Sequence, residues 1–169
     1  VYRELKKLKN ENKISGIGVS VYSPNELTSL INQYDFDIVQ IPFNIFDVRF
    51  NNTPLIDRLK DSNTIIQVRS IFLQGILLQP FELLPSYFSS SKAVFNDYER
   101  ELNSVLMSRQ EYCVSYVAQM DFIDEIVIGF QSEDQLREVA EIDVNLIKNL
   151  RNFRCGNADL IDPSKWQLK

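Results

Sequence analysis

Histidine is absent from this chain of 169 residues, and cysteine occurs only twice, as Cys113 and Cys155. Without imidazole groups the chain cannot form a Ser–His–Asp hydrolase site, and no metal-binding pattern is evident. Cys113 falls in an apolar helical pattern, so we expect a buried thiol and a reducing, cytoplasmic environment. A disulfide between Cys113 and Cys155 is the alternative.

Positive charge is also scarce, since 18 lysines and arginines face 23 acidic residues and leave a net charge of −5. Nucleic acids and anionic membranes bind basic surfaces, so we expect neither as a partner. No apolar run approaches the ~20 residues of a membrane-spanning helix. The chain also lacks an initiator methionine and opens in a helical pattern, and we expect it to be a fragment of a longer protein.

What is present is an alternation of strand and helix patterns. The predicted strands cover residues 14–20, 37–41, 64–68 and 125–128. The predicted helices cover residues 1–10, 92–107, 109–120, 133–142 and 143–152, and two more begin at Pro24 and Pro54. Strands separated by helices predict βαβ units and a parallel sheet. Four units are half of the eight that close a barrel, and an open doubly wound sheet is the alternative architecture.

Polar residues stand where three predicted strands end, and parallel barrels bind ligands at the carboxyl ends of their strands. Ser20 either contacts a ligand or bonds a nearby backbone amide. Gln40 ends an apolar strand, and its buried amide needs a ligand or a neighbouring group as partner. Arg69 must meet an anion, a carboxylate or water, and a structural ion pair is the alternative.

The last predicted strand leads into a candidate anion site. Gly129 is expected to provide backbone room or a positive φ. Ser132 caps the following helix, whose free N–H groups attract anions, although any capped helix offers this. At the other end of the chain, Ser23 and Glu26 are expected to form a capping box.

Two further groups have structural explanations that we weigh against functional ones. Phe81, Tyr87 and Phe88 either line an apolar substrate mouth or simply pack together. The residues with the positions of turn and cap residues are Asp35, Asp37, Asp121 and Asp124, and we do not expect paired carboxylate catalysis from them.

Five segments, taken in order and with their spacing, carry a family resemblance. They are IGVSVYSPNEL, DIVQIPFNIFD, RSIFLQGILL, IGFQSEDQLREV and the terminal DPSKW. Together they closely resemble the second half of an aldo/keto reductase barrel, over nearly the entire chain. The resemblance implies half of a (β/α)8 TIM barrel, with four parallel strands and helices outside. Residues 1–169 would be one C-terminal half-barrel, and the family's catalytic Asp, Tyr, Lys and His would precede Val1.

The resemblance also implies a nicotinamide cofactor, NADP or NAD, and a role for each site residue. Ser20 and Gln40 would hold the nicotinamide carboxamide, and Arg69 stands where the family usually has an aromatic residue that stacks on the ring. The residues expected to follow the pyrophosphate are Ser70, Phe72, Gln74 and Gly75, and those expected at the adenosine end are Gly129, Gln131, Gln135 and Glu138.

Several positions depart from the family pattern. Val21 and Val139 replace asparagines that usually contact the cofactor, and Gln131 weakens the preference for NADP over NAD because a basic residue often grips the 2′-phosphate there. The resemblance implies an oxidoreductase that reduces a carbonyl, with a sugar among the candidate substrates. The alternative is a non-catalytic binding or regulatory relative linked to surface sugar biosynthesis. In either case we expect a homo-oligomer or a missing N-terminal half-barrel to cover the open sheet.

Overall fold

The computed structural model describes residues 1–167, and the chain divides into two compact units. Unit 1 comprises residues 1–42, 49–69 and 121–127, and unit 2 comprises the remainder. Unit 1 contains α1 (Tyr2–Asn10), β1 (Gly18–Ser20), α2 (Pro24–Ile31), β2 (Ile38–Pro42), α3 (Pro54–Asp61), β3 (Ile65–Arg69) and β4 (Glu125–Ile126). Unit 2 contains α4 (Lys92–Val105), α5 (Arg109–Ala118), α6 (Glu133–Ala140) and α7 (Ala158–Ile161), with 3-10 turns at Leu73–Leu78, Phe81–Leu83, Ser86–Ser91 and Pro163–Lys165. None of the described helices is long and apolar enough to cross a membrane.

The sheet of unit 1 has four parallel strands in the order β1-β2-β3-β4. The prediction of parallel βα units is therefore confirmed. A doubly wound sheet is wrong for this chain, because its strand order must reverse at an inner strand and this order never does. The order is that of consecutive strands in one half of a (β/α)8 barrel.

The two faces of this sheet differ in burial. Val39, Ile41, Ile66 and Val68 share one face and are fully buried. On the same unit, α2 and α3 bury Leu27, Ile56 and Leu59, as their apolar spacing predicts. The opposite face is half-buried or exposed except at Pro42, and its apolar residues include Ile65 (38% exposed) and Val127 (42% exposed).

Two carboxylates anchor the amino ends of the strands. Asp37 Oδ2 accepts from the Ile17 backbone N–H at 2.7 Å, while Asp37 Oδ1 pairs with Lys9 Nζ of α1 at 2.5 Å. Asp124 repeats the arrangement, because it accepts from Ile66 N–H at 2.8 Å and pairs with Lys60 of α3 at 2.8 Å. These carboxylate anchors tie neighbouring strands together, which is a structural role different from the turn and cap positions predicted for both residues.

Replacing Asp37 by asparagine is expected to lower the free energy of unfolding by about 1 kcal/mol, since the pair with Lys9 is lost at a partly exposed site. The hydrogen bond from Lys9, with that from Ile17, holds the pKa of Asp37 below its ordinary value of 3.8. The unfolded chain therefore binds a proton first, and this contribution disappears as the pH falls from roughly 5 to 2. Urea midpoints measured across that range should show a shallower pH dependence for Asp37→Asn. Asp61→Asn, on the exposed end of α3, is the control, and an equal loss in both variants would contradict the anchor.

Helix α2 begins as predicted, but its cap is only half of a capping box. Ser23 Oγ accepts from Glu26 N–H at 3.2 Å. The Glu26 carboxylate accepts from Tyr22 N–H at 2.7 Å instead of returning to the Ser23 backbone. A complete capping box occurs at Ser108 and Glu111, where it starts α5.

The core of unit 2 is rich in aromatic rings. Phe46 is fully buried, with ring centroids at 5.0 Å from Phe95, 6.0 Å from Tyr98 and 6.3 Å from Phe153. The aromatic residues of the long loop join the packing of the same unit. Phe81 lies 5.3 Å from Phe95, and the buried Phe88 contacts Tyr87 and Trp166 at 5.1 Å each, which favours the packing interpretation for the three loop aromatics.

The helix predicted over residues 143–152 is wrong, and polar side chains explain why. Asp143 Oδ1 accepts from Asn145 N–H at 3.0 Å, and Asn149 adopts a left-handed φ of 61°. The Gln119 side chain accepts from Leu150 N–H at 3.2 Å and donates to its carbonyl at 3.4 Å. Backbone groups that would form helical hydrogen bonds are thus satisfied by side chains, as Asp and Asn favour in turns.

Candidate functional site

Ser20, Gln40 and Arg69 form one hydrogen-bonded group in unit 1. Ser20 and Arg69 are the last residues of β1 and β3, whereas Gln40 lies two residues before the end of β2, not at the strand end as predicted. Ser20 Oγ donates to Gln40 Oε1 at 3.0 Å, and Arg69 Nε donates to Ser20 Oγ at 3.3 Å. The register explains the contact, since Ser20 and Gln40 are cross-strand partners and paired side chains point to the same face. The three residues predicted to contact the nicotinamide end of a cofactor therefore lie together.

Two residues that the sequence analysis missed extend this group across the sheet. Gln40 Nε2 donates to Gln67 Oε1 at 2.6 Å, and Gln67 Nε2 donates to Glu125 Oε2 at 2.7 Å. Gln67 is the strand partner of Gln40, and Glu125 is the partner of Gln67. We call the line from Ser20 through Gln40 and Gln67 to Glu125 the polar row. The signal in the sequence was a polar residue inside each apolar strand pattern, but its meaning depends on the register.

Tyr22 is a further residue that sequence reasoning missed. Its ring is 58% exposed, and the Arg69 guanidinium carbon lies 4.5 Å from the ring centroid, which is a stacking distance for an arginine on an aromatic face. Arg69 Nη2 also donates to the carbonyl of Val21 at 3.3 Å. The Val21 side chain is fully buried, so it offers no surface to a ligand.

The residues predicted along the pyrophosphate form a tight turn in unit 2. Ser70, Gln74 and Gly75 all have positive φ, of 61°, 56° and 87°. The turn is closed by hydrogen bonds from Leu73 N–H to Ser70 O and from Gly75 N–H to Phe72 O, both 2.9 Å. Glycine adopts such a φ without steric cost, so Gly75 is needed for this backbone path.

The residues predicted at the adenosine end surround the start of α6, also in unit 2. Ser132 Oγ accepts from Gln135 N–H at 3.3 Å, so the predicted cap is present. Gln131 N–H donates to the Gln135 side chain at 2.9 Å, which brings these two glutamines together. The first turn carries Glu133 and Asp134, and these acids repel a phosphate from a helix end that would otherwise attract one.

The other two residues predicted at the adenosine end are Glu138 and Gly129. Glu138 lines a groove of about 710 Å³ in unit 2 together with Ser108 and Arg109. The reason given for Gly129 is wrong: its φ lies outside the left-handed region, and an added Cβ would meet no atom of residues 1–167 within 4 Å.

The two cysteines and the acidic residues are the further candidates for chemistry within residues 1–167. Burial raises the pKa of the Cys113 thiol to about 12, so the thiol stays protonated and inert at neutral pH. Both cysteines are unpaired, as expected for Cys113. Within residues 1–167, no cluster of three or more Cys, Asp or Glu side chains could hold a metal ion.

Comparison with known proteins identifies the family. The Aldo/keto reductase family profile matches residues 1–148. The apo and holo structures of aldo-keto reductase AKR11C1 from Bacillus halodurans are similar, with TM-scores of 0.67 and 0.66 at 19% and 18% identity. Each match covers 86% of this chain and 50% of the other.

A third similar structure is the glycerol dehydrogenase AKR11B4 from Gluconobacter oxydans, with a TM-score of 0.53 and 20% identity over 88% of this chain and 54% of that one. No curated protein is significantly similar to the chain. The chain thus spans about half the length of these relatives, and at these identities the likeness shows the fold. Its strand order and the family match agree, and the chain belongs to the aldo/keto reductase family.

Proposed function

We propose that this chain is the cofactor-binding, C-terminal half-barrel of an oxidoreductase that uses NADP(H) or NAD(H) to reduce a carbonyl, with sugars among the candidate substrates. The observation that supports this is the hydrogen-bonded group of Ser20, Gln40 and Arg69, in which Ser20 and Arg69 end two parallel strands and Gln40 lies two residues before the end of the strand between them. Ligands of parallel barrels bind at that end. A bound nicotinamide cofactor would supply the hydride, and the residues here would hold and orient it.

The nicotinamide end would meet the residues of unit 1. A primary carboxamide carries both a donor and an acceptor, and the amide of Gln40 and the hydroxyl of Ser20 can bond both. Arg69, stacked on Tyr22 at 4.5 Å, would replace the aromatic residue that usually lies against the nicotinamide ring. Guanidinium planes also stack on aromatic rings, so the substitution is compatible with binding.

The rest of the cofactor would meet residues of unit 2. We propose that Ser70, Phe72, Gln74 and Gly75 follow the pyrophosphate, supported by the tight turn that exposes Gln74. The adenosine end would meet Gly129, Gln131, Gln135 and Glu138. Because Glu133 and Asp134 occupy the first turn of α6, a cofactor without a 2′-phosphate fits this end better than one with it.

Catalysis would need groups that this chain lacks. The acid–base residues of the family belong to the other half of the barrel, and this chain contains no histidine. The exposed sheet face with Ile65 and Val127 supports a covering partner, which we propose is the N-terminal half-barrel, with a second copy of this chain as the alternative. The two unpaired cysteines support a reducing, cytoplasmic location.

The second candidate is a non-catalytic relative that binds a ligand or regulates a pathway of surface sugar synthesis. Two observations favour it: Val21 is buried and presents no carboxamide contact, and Arg69 is already hydrogen-bonded to Ser20 and Val21. A ligand that stacks on Arg69 must therefore leave room for the hydrogen bonds from Arg69 to Ser20 and to the Val21 carbonyl.

Cofactor binding tests the proposed site, and carbonyl reduction by the protein joined to an N-terminal half-barrel separates the two candidates. We expect NADH or NADPH to bind with enhanced cofactor fluorescence and a dissociation constant in the micromolar to low millimolar range, with NADH tighter by about three-fold or more, since the α6 acids repel the additional phosphate. Arg69→Ala should weaken binding about ten-fold through loss of stacking, and Arg58→Ala, on the exposed face of α3, is the control.

Light scattering on the same samples gives the mass of the binding species, and a dimer would favour the second-copy alternative. Absence of binding at millimolar cofactor to the chain joined to an N-terminal half-barrel would eliminate the enzyme proposal. Retained binding without carbonyl reduction by the joined protein would instead support the non-catalytic relative.

A further inference from the structure

The hydrogen bonds that join Arg69 to the polar row, and those within the row, all run in one direction, from Arg69 to Glu125. Arg69 can only donate hydrogen bonds, and the Glu125 carboxylate can only accept them. The four intervening bonds are Arg69 Nε to Ser20 Oγ (3.3 Å), Ser20 Oγ to Gln40 Oε1 (3.0 Å), Gln40 Nε2 to Gln67 Oε1 (2.6 Å) and Gln67 Nε2 to Glu125 Oε2 (2.7 Å). With a cation at the donor end and an anion at the acceptor end, each hydroxyl and amide between them is forced into one orientation.

The row is also out of place for a barrel interior. The inward layers of a parallel barrel are mostly Val, Ile and Leu, whereas here all four strands contribute a polar side chain at matching register positions. Each of these polar side chains needs a hydrogen-bond partner when it is buried, and its neighbours in the row provide one. Bonds that run in one direction strengthen one another, so the ends of the row influence its middle.

The orientation decides what Gln40 can offer to a ligand. Its carbonyl oxygen uses one lone pair for Ser20, and its NH₂ group uses one hydrogen for Gln67. One lone pair and one N–H of the same amide are left by this count, and together they match the N–H and C=O of a primary carboxamide. If the Gln40 amide rotated by half a turn, its NH₂ would face Ser20 and its carbonyl would face Gln67, and both bonds of the row would need the reverse sense.

We propose that Gln67 and Glu125 are positioning residues that fix the amide of Gln40 in the orientation that binds a carboxamide ligand. The assignment rests on the proposed function, in which that ligand is the nicotinamide group. Gln67 acts directly on Gln40, and Glu125 acts through Gln67. Neither residue touches the ligand itself, and neither belongs to the set assigned from the family resemblance.

The first experiment needs no ligand and uses the intact chain. Side-chain amide resonances of Gln40 are followed by NMR in ¹⁵N-labelled protein, together with the exchange of its amide protons with water. Gln67→Met keeps the side-chain volume but removes both hydrogen bonds, and we expect the Gln40 amide signals to move and their exchange to accelerate about ten-fold. Gln33→Met is the matched control, because within residues 1–167 the Gln33 side chain donates only to Ser29 O of the preceding α2, at 3.0 Å.

Substitutions at the far end of the row test the action through Gln67. Glu125→Val removes the acceptor and is expected to shift the Gln40 amide signals in the same direction as Gln67→Met, by a smaller amount. Glu125→Gln keeps an acceptor oxygen and should restore signals close to those of the unsubstituted chain. If the Gln40 amide is unmoved by both Gln67→Met and Glu125→Val, the proposal is overturned.

The second experiment compares NADH with ADP-ribose, which has the same adenosine and pyrophosphate but no nicotinamide. Gln67→Met should weaken NADH binding about five- to ten-fold and leave ADP-ribose binding unchanged, since only the carboxamide contact is lost. Equal weakening of both ligands would overturn the proposal, because it would mean a general structural defect. If the unsubstituted chain binds neither ligand, even when it is joined to an N-terminal half-barrel, the proposed function fails, and the NMR result decides the positioning role by itself.

Discussion

Replacing Phe46 by alanine is expected to lower the free energy of unfolding by about 4 kcal/mol, the range for a large aromatic ring removed from a packed core. The ring is fully buried and contacts Phe95, Tyr98 and Phe153 at centroid distances from 5.0 to 6.3 Å. Its removal leaves a cavity among three rings that cannot all move inward. Urea unfolding followed by far-UV circular dichroism gives the change directly.

Leu83→Ala is the control for this substitution, because Leu83 is in the same unit and 70% exposed. Its free energy of unfolding should stay within about 0.5 kcal/mol of the unsubstituted value. A loss below about 1.5 kcal/mol for Phe46→Ala would mean that the aromatic core of unit 2 is not packed as described. Phe46→Leu should recover part of the loss, since it refills much of the volume.

Asn44→Leu is expected to cost about 4 kcal/mol, although the two side chains are close in size. Asn44 is 1% exposed, and its Oδ1 accepts from the backbone N–H groups of Phe46 and Asp47 at 2.9 Å each. Its Nδ2 donates to the Ser70 carbonyl at 3.1 Å. Leucine leaves the buried N–H groups of Phe46 and Asp47 without these partners, whereas the Ser70 carbonyl keeps its bond from Leu73 N–H. Each unsatisfied buried group costs about 1–3 kcal/mol. The same urea titration measures the effect.

The matched comparison is the same substitution at Asn96, an exposed position on α4. Asn96→Leu should change stability by no more than about 0.5 kcal/mol, because no buried group depends on it. If both substitutions had equally small effects, the hydrogen bonds of the Asn44 side chain would not stabilise the turn at residues 44–47. A large loss at Asn44 alone would show that this part of the DIVQIPFNIFD segment serves the fold.

The positions of Ser20, Gln40 and Arg69 at or near the strand ends were predictable because they depend only on local patterns. An apolar run marks each strand, and parallel strands place their carboxyl ends together. Gln67 and Glu125 could not be found in this way, since each is one polar residue in a short strand. Their meaning arises from the cross-strand register, which fixes which residues are neighbours and which no single segment reveals.

Turns that are stabilised by residues far away in the sequence could not be predicted either. The segment after α6 has helical spacing, yet Gln119 bonds Leu150 from 31 residues away, and Tyr112 Oη donates to the Arg151 carbonyl at 2.9 Å. Such contacts override local propensity, because they satisfy backbone groups without a helix. The capped starts of α2 and α6 were recognised correctly, since a cap is made by residues only three positions apart.

The carboxylate anchors have a consequence for how this protein can change. Asp37 and Asp124 secure the strands at the rim opposite to Ser20, Gln40 and Arg69. Under the proposed function, stability and ligand recognition would depend on different ends of the same strands, so that residues at one end could vary while those at the other are preserved. Specificity could be redesigned at one rim by exchanging loop residues, with little expected penalty to the strands that carry them.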